Sequence, residues 1–205
     1  MKKNLAILMF DQVEVLDFAG PFEVFSVANE LHDYGLLNVL TVSIDGKDVC
    51  AVNGLRVGVD CSFASCPDDI HYLVIPGGDG TKAIFQLPEY QCWVKQRYQQ
   101  AEQVLTVCSG TRLLAGMGLL SGKQFCTHQE VYPQLVALAP DAFPQSHLRY
   151  VRAGKLLSAG GISAGIDAAL DLLKDITSAK VANKTAIYME YHRNSADCGM
   201  DFGRD

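Results

Sequence analysis

The sequence lacks the features that define several large classes of protein. It has no run rich in lysine or arginine, no basic helix, and a formal net charge of -6. The electrostatic attraction on which nucleic-acid binding depends therefore has little support. No apolar stretch approaches the roughly 18–20 residues of a membrane span. We expect neither a nucleic-acid partner nor a membrane partner.

The marks of a secreted protein are also missing. A short apolar run follows Lys2 and Lys3, but no small-residue cleavage site comes after it. The run is therefore predicted to be a strand and not a signal peptide. The seven cysteines are irregularly spaced and include no C-x-x-C pair. We expect free thiols in a reducing cytoplasm, with no disulfide framework and no metal site.

The composition and the pattern of apolar residues indicate an α/β domain. Hydrophobic residues make up 49% and charged residues 20% of the 205 residues, a balance that suits one compact domain with a sizeable core. Continuous apolar runs of strand length occur at 4–10, 39–44, 72–75 and 104–107. Such runs are typical of parallel strands buried on both faces. We predict a doubly wound, mostly parallel central sheet flanked by helices.

Turn and helix signals predict the remaining elements. Gly20-Pro21 is expected to open a helix, and Asn53-Gly54 indicates a hairpin. Residues 147–159 are predicted to form a β-ribbon that turns at Ala153-Gly154. Further helices are expected at 88–101, 109–119, 131–138, 163–176 and 179–192, with a strand at Phe125. Residues 1–194 are predicted to form a single domain and 195–205 a loose tail.

Three features follow predicted strands at the edge where open parallel sheets bind ligands. Asp17 comes after the first strand, Gly77-Gly78 after the strand that ends at Ile75, and Cys108 after the strand that ends at Val107. We predict that these features belong to one site.

Cys108 lies at a turn between a strand and a helix, which is the position of a nucleophile elbow. The free amides and the dipole at the start of the following helix favour thiolate over thiol. Gly110 allows a close approach of the backbone. The alternative is a buried cysteine that acts as a small hydrophobic residue. The turn by itself leaves both interpretations of Cys108 open, a nucleophile and a buried thiol.

The other candidate residues would assist this thiol. The backbone amides of Gly78 and Ser109 are expected to donate to a developing negative charge, although glycine pairs also occur in ordinary turns. Asp17 is predicted to stay protonated and to donate to the sulfur or to substrate; the alternative is a helix N-cap. His128 and Gly77 are candidate substrate contacts, although a lone histidine is more often structural.

Five blocks occur along the sequence in this order: ILMFDQVEVLDFAGPFEVF, LVIPGG, VCSGTRLLAGMGLLSGK, THQ and SAGGISAGIDAALDLL. Together they resemble the ThiJ/PfpI superfamily, a branch of the class I glutamine amidotransferase-like proteins. The resemblance runs from about Leu5 to His192. It implies a flavodoxin-like three-layer sandwich, a homodimer, no cofactor, and a cysteine nucleophile at Cys108.

The residues at the elbow favour one branch of that superfamily. The protease and amidase branch carries a catalytic histidine directly after the cysteine, where this chain has Ser109. The isonitrile hydratase branch has an aspartate in its LDFxGP block and Cys-Thr-Gly at the elbow; Asp17 and Cys108-Ser109-Gly110 match, with serine for threonine. The resemblance implies a cytoplasmic, cofactor-free lyase that turns an isonitrile into an N-substituted formamide. Its catalytic residues would be Cys108, Asp17 and Ser109.

Other functions at the same cysteine stay open. Hydrolase or glyoxalase-type chemistry would depend on His128 more than on Asp17. The amidase-like sensor domain of AraC-type transcription regulators shares the LDFxGP and GLLxGK blocks, and a freestanding or truncated sensor of ligands or redox state would show no turnover. A superfamily member without activity is the third alternative. The family often has an aromatic residue where this chain has Gln129, so the sequence leaves the substrate open.

Overall fold

A computed structural model describes residues 2–192 and places a seven-stranded sheet at the centre. The sheet order is β10-β11-β7-β6-β1-β2-β5, with short pairs β3–β4 and β8–β9 beside it. In chain order the strands are β1 (Lys3–Leu8), β2 (Leu37–Ser43), β3 (Val49–Cys50), β4 (Arg56–Val57), β5 (Cys61–Ser62), β6 (Ile70–Ile75), β7 (Gln103–Val107), β8 (Gln124–Phe125), β9 (Phe143–Pro144), β10 (Tyr150–Ala153) and β11 (Leu156–Ala159). Within the main sheet only the β10–β11 pairing is antiparallel.

The apolar runs form the middle of this sheet because helices cover both of its faces. Three runs have no exposed surface: Leu5–Leu8 of β1, Leu73–Ile75 of β6 and Val104–Val107 of β7. The prediction of a mostly parallel sheet is confirmed.

Seven helices surround the sheet in the described residues. They are α1 (Val15–Glu30), α2 (Thr81–Ile84), α3 (Pro88–Gln100), α4 (Thr111–Gly116), α5 (Tyr132–Leu138), α6 (Ala164–Ile176) and α7 (Ala179–Tyr188). Helices α1, α6 and α7 pack against one another. The β1–α1–β2 and β6–α3–β7 crossovers run in opposite directions across the sheet, so right-handed connections put α1 and α3 on opposite faces. The result is the flavodoxin-like three-layer sandwich that the resemblance implies.

Helix α1 begins earlier than the sequence predicts. It starts at Val15 and includes Pro21, which was expected to mark its first turn. The residues before the proline are apolar, and Val13 and Phe18 are buried against the core, which draws this segment into the helix. Gly20 lies against α6, where a Cβ atom would come within 2.9 Å of Ile166 Cγ1. Packing therefore outweighs the missing N–H of Pro21.

Several other boundaries differ from the predictions. The helix expected at 109–119 is a 3-10 turn, Cys108–Gly110, followed by the short α4. A Cβ atom at Gly110 would lie 2.8 Å from the carbonyl oxygen of Pro76, so the chain is pressed tightly against the neighbouring loop here. The helix expected at 179–192 ends at Tyr188. The tail predicted at 195–205 lies outside the described residues.

Both predicted β-turns are present. Asn53 and Gly54 have φ angles of 65° and 87°, and they connect the antiparallel strands β3 and β4. Gly154, with a φ of 59°, connects β10 to β11. Within residues 2–192, no helix has the length and hydropathy that crossing a bilayer requires.

Candidate active site

Three adjacent strands bring the predicted site residues together. Strands β1, β6 and β7 are parallel neighbours, so the segments that follow them meet at one edge of the sheet. The Gly77 amide donates to Asp17 Oδ2 at 3.0 Å, and the Gly78 amide donates to Ser109 Oγ at 2.9 Å. Asp17, the glycine pair and the Cys108 turn therefore form one constellation.

The backbone of Cys108 is held in a conformation that is uncommon for a residue with a side chain. Its φ angle is 56°, in the left-handed region. Two hydrogen bonds fix it: the Cys108 amide donates to the Gly160 carbonyl at 2.9 Å, and Thr127 Oγ1 donates to the Cys108 carbonyl at 2.7 Å. Local strain of this kind persists where the surroundings enforce it, as at a nucleophile elbow.

The glycine pair positions the two polar side chains of the site. A Cβ atom on Gly77 would lie 2.7 Å from Ser109 Oγ and 2.8 Å from Asp17 Oδ2, so no other residue fits there. Gly78 has a φ of 125° and packs on the backbone of Gln12 and Glu14. Gly77 holds Asp17 and is absent from the described residues that line the cavity, so substrate contact by Gly77 has no support in this geometry.

Asp17 is completely buried in the first turn of α1. Burial raises the pKa of Asp17 to about 7, against the opposing effects of the Gly77 amide and the Cys108 thiol. Its Oδ1 atom is buried and makes no hydrogen bond within the described chain. The residue at the N-cap is Glu14, so the alternative of Asp17 as a cap is wrong. Asp17 is a carboxyl group that gains and loses a proton near neutral pH.

The thiol of Cys108 is not a thiolate at rest, which corrects the prediction from the helix dipole. Burial, and after it the negative charge of Asp17, raises the pKa of Cys108 to about 12. Hydrogen bonds from Ser109 act in the opposite direction but are weaker. Cys108 is only 8% exposed, and the turn and short helix that follow it do not offset the loss of water around the thiol. Near neutral pH the sulfur therefore keeps its proton, while Asp17 gains and loses one.

A cavity of about 380 Å³ opens onto the sulfur, a volume that suits a small molecule. Gly78, Ser109 and Ile162 line it beside Cys108. His128 also lines it, and its Nδ1 accepts the Glu130 amide at 3.3 Å. The structure contains no hydrogen bond between His128 and Cys108, so the place of His128 is in the wall of the cavity.

Sequence reasoning missed several residues of this site. Thr127 supports the elbow, and Ile162 faces Asp17 with a φ angle of 52°, which is rare for a β-branched residue. Glu14, directly before α1, lines the cavity, and its charge helps to raise the pKa of Asp17. Arg112 is 97% buried beside Cys108, as its 3% exposure shows. Arg112 directly precedes the apolar run LLAGMGLL, but that position alone does not show that its side chain is buried.

The fold and the site define an α/β protein with a cysteine at a strained turn between a strand and a helix, a carboxyl group facing the sulfur, and a small cavity that opens onto the sulfur. The sequence model of the DJ-1/PfpI family matches residues 3–175, and the chain belongs to this family. The resemblance to the ThiJ/PfpI proteins is thereby confirmed.

Two relatives illustrate the range of functions among similar proteins. The chain is 31% identical over 191 residues to isonitrile hydratase of Pseudomonas putida, a match that covers 93% of this chain and 79% of that protein. It is 25% identical over 171 residues to the HTH-type transcriptional regulator GbdR of Pseudomonas aeruginosa. That match covers 83% of this chain but only 46% of the regulator.

Solved structures show the same fold. A ThiJ/PfpI family protein from Pseudomonas syringae superposes with a TM-score of 0.84 at 26% identity, over 95% of this chain and 77% of that one. DJ-1beta of Drosophila melanogaster superposes with a TM-score of 0.81 at 19% identity, over 94% and 100% of the two chains. The second likeness extends to the fold alone.

Proposed function

We propose that this protein is a cysteine-dependent hydratase that converts a small isonitrile into an N-substituted formamide. The observation that carries the proposal is the fully buried Asp17, which faces the Cys108 thiol and keeps one oxygen without a hydrogen bond. A thiol needs a base to react and an isonitrile carbon needs an acid, and one carboxyl group can serve as both. Similarity to the hydratase of Pseudomonas putida supports the same reaction.

In the first step the thiol adds across the terminal carbon of the isonitrile. Asp17 takes the proton of Cys108, and the sulfur forms a bond to that carbon. Asp17 then delivers the proton to the same carbon, which gives a thioimidate, R–N=CH–S–Cys. The pKa of Asp17, raised by burial to about 7, suits a group that must accept and return a proton near neutral pH.

In the second step one water molecule resolves the adduct. Water adds its oxygen to the thioimidate carbon and a proton goes to the nitrogen, which gives a tetrahedral adduct. The C–S bond then breaks, the hydroxyl proton leaves through Asp17 to the sulfur, and the products are the N-substituted formamide and the free thiol. Splitting hydration in this way replaces one difficult step by two easier ones.

Ser109 and Gly78 would support both steps. The Ser109 amide and hydroxyl face the sulfur and favour its negative charge. In the resting structure the Gly78 amide is paired with the Ser109 hydroxyl, and Thr81 Oγ1 lies 3.2 Å from the same oxygen. Donation by Gly78 to a developing charge stays a prediction, because it requires the Ser109 hydroxyl to turn away.

The test is direct turnover of a simple alkyl isonitrile by the purified protein, with the formamide measured by mass spectrometry. We expect Cys108→Ala to abolish product and Asp17→Asn to lower kcat by at least about a hundredfold, the usual contribution of a positioned acid–base group. His128→Ala is the matched control and is expected to retain most activity. Product formation that persists in Cys108→Ala would contradict the proposal, and a larger loss with His128→Ala would favour hydrolase-type chemistry.

A second candidate, a ligand-sensing module, is favoured by the similarity to the regulator GbdR over 83% of this chain. In that function the cavity would bind a small molecule without converting it. Ligand binding would then raise the melting temperature while no formamide appears. The cytoplasmic location and the homodimer stay predictions from the resemblance.

A further inference from the structure

Arg112 is unusual among the buried arginines of residues 2–192. Both of the others form an ion pair: Arg97 Nη2 lies 3.3 Å from Asp68 Oδ1, and Arg152 Nη2 lies 3.1 Å from Asp171 Oδ2. Arg112 is equally buried but has no carboxylate within 4.0 Å in the described chain. A buried charge without a counterion is costly, and proteins normally pair it. Arg112 therefore lacks the carboxylate counterion that a buried guanidinium normally has.

Neutral groups hold the guanidinium in place from two sides. Arg112 Nε donates to Gln134 Oε1 at 2.9 Å, and Nη1 makes a short hydrogen bond to Thr81 Oγ1. The remaining nitrogen, Nη2, makes no hydrogen bond in the described chain, yet it is not sealed off from solvent. Because Arg112 lines the cavity, its Nη2 group can donate a hydrogen bond to a molecule bound there.

The charges around Arg112 leave its positive charge largely uncompensated. Asp79 also lines the cavity and its charge acts on Arg112, but Asp79 is exposed and forms its ion pair with Lys82, at 2.6 Å. Glu14 and Glu130 line the cavity without forming an ion pair with Arg112. Cys108 is close enough for its charge to act on Arg112, but it is a neutral thiol at rest. An anion in the cavity would supply the missing counterion.

We propose that Arg112 determines specificity by binding a carboxylate of the substrate, so that the natural substrate is a small anionic molecule. A guanidinium presents its donors in a fork that matches a carboxylate. On the proposed function, which supplies the reacting group, the substrate is an isocyano carboxylate. Its isonitrile carbon meets Cys108 while its carboxylate meets Arg112. The preference for an anion stands on the geometry of Arg112 and the cavity alone.

Alkylation of Cys108 by two reagents of nearly equal size tests this preference without any turnover. Iodoacetate is an anion and iodoacetamide is neutral, and mass spectrometry of the peptide that contains Cys108 gives the rate of each apart from the other free cysteines. A variant that changes the reactivity of the sulfur changes both rates by the same factor, so the ratio of the two rates reports only the preference for the anion. We expect Arg112→Gln to lower the iodoacetate-to-iodoacetamide ratio by about tenfold, as the loss of a charged hydrogen bond does. An unchanged ratio would overturn the proposal.

Two further variants separate recognition from general electrostatics. The double variant Lys82→Gln with Asp79→Asn removes an exposed cation from the same cavity without leaving Asp79 unpaired, and it is expected to change the ratio less than twofold. Arg112→Lys keeps the charge but loses the fork, so an intermediate ratio is expected. A loss with this double variant as large as that with Arg112→Gln would count against Arg112 as the binding group.

A measurement on the unmodified protein covers the case in which Arg112→Gln does not fold. Butyrate is expected to protect Cys108 from iodoacetamide at concentrations where butyramide, its neutral counterpart, does not. Equal protection by the two would contradict the proposal. Since neither assay uses an isonitrile, failure of anion recognition and failure of hydratase activity appear in different experiments.

Discussion

At the scale of single residues, the site depends on the protonation of two neighbouring groups, the carboxyl of Asp17 and the thiol of Cys108. Both groups are buried, and burial raises the pKa of each, to about 7 for the carboxyl and about 12 for the thiol. The resting site therefore avoids two adjacent negative charges. Reactivity begins only when the proton leaves the sulfur, which makes the charge of Asp17 the controlling quantity.

This arrangement predicts opposite effects of Asp17→Asn on alkylation and on catalysis. Above pH 7 the ionised Asp17 raises the pKa of Cys108, so the variant lowers that pKa and increases the thiolate fraction at pH 8–9. A fall of about one pKa unit would speed alkylation by iodoacetamide about tenfold. Isonitrile turnover falls at the same time, because the group that returns the proton is gone.

The measurement is the rate of iodoacetamide labelling from pH 7 to pH 11, with Cys108→Ser as the control for other cysteines. In the parent protein the labelling rate is expected to rise throughout this range. A plateau below pH 8, or a slower rate in Asp17→Asn, would mean that Asp17 stabilises the thiolate instead.

The sequence predicted the members of this site better than their protonation. Asp17, Ser109 and Cys108 could be found because each follows a strand of the sheet, and topology alone brings such residues together. The state of the thiol could not, because it depends on how much water reaches the sulfur, and that follows from packing. Arg112 was missed because no local pattern shows that a charged side chain turns inward.

At the scale of elements, the turn that carries Cys108 is held by its neighbours more than by its own residues. Cys108 belongs to a 3-10 turn with a left-handed φ, and the loop after β8 supports it through Thr127. Likewise α1 begins at Val15 because α6 and the core hold it, despite Pro21. Signals in the sequence locate such elements, while contacts with distant segments set their boundaries.

A pair of isosteric substitutions tests the support of the elbow. Thr127→Val removes the hydroxyl that donates to the Cys108 carbonyl and leaves a buried carbonyl without that partner, so we expect a loss of about 1–2 kcal/mol in the free energy of unfolding. Thr185→Val, in α7, removes a buried hydroxyl that has no hydrogen-bond partner. This control is expected to be neutral or stabilising by up to about 1 kcal/mol.

Urea denaturation of the two variants, followed by circular dichroism, measures both changes. The two variants can be compared directly, because each replaces a buried threonine hydroxyl by a methyl group. Equal effects of the two substitutions would show that the Thr127 hydrogen bond does not stabilise the turn.

At the scale of the whole molecule, the fold was the most predictable feature. The buried runs of β1, β6 and β7 have no polar alternation, and runs of this kind fit only a sheet covered on both faces. The short elements could not be predicted from the sequence: β5 has two residues and α2 has four, too few for any periodic pattern. Long elements carry enough pattern to be predicted, whereas short ones depend on the surrounding fold.

Burying a carboxyl group in the centre of this fold affects the stability of the entire molecule. The pKa of Asp17 is raised from 3.8 to about 7 in the folded protein, so between these values the folded state binds more protons than the unfolded state. The contribution of Asp17 to stability is therefore fully present below about pH 4 and is lost as the pH rises through about 7. The pKa change sets an upper limit of about 4 kcal/mol on this loss.

Asp17→Asn is expected to remove this loss, because a neutral amide has no proton to give up and its oxygen can still accept the Gly77 amide. Urea denaturation at pH 5 and pH 8 measures the difference in the free energy of unfolding between the variant and the parent. We expect the variant to be clearly the more stable of the two at pH 8 and to lose most of that advantage at pH 5. A difference independent of pH would mean that Asp17 stays in one protonation state, and it could not then be the group that moves the proton of Cys108.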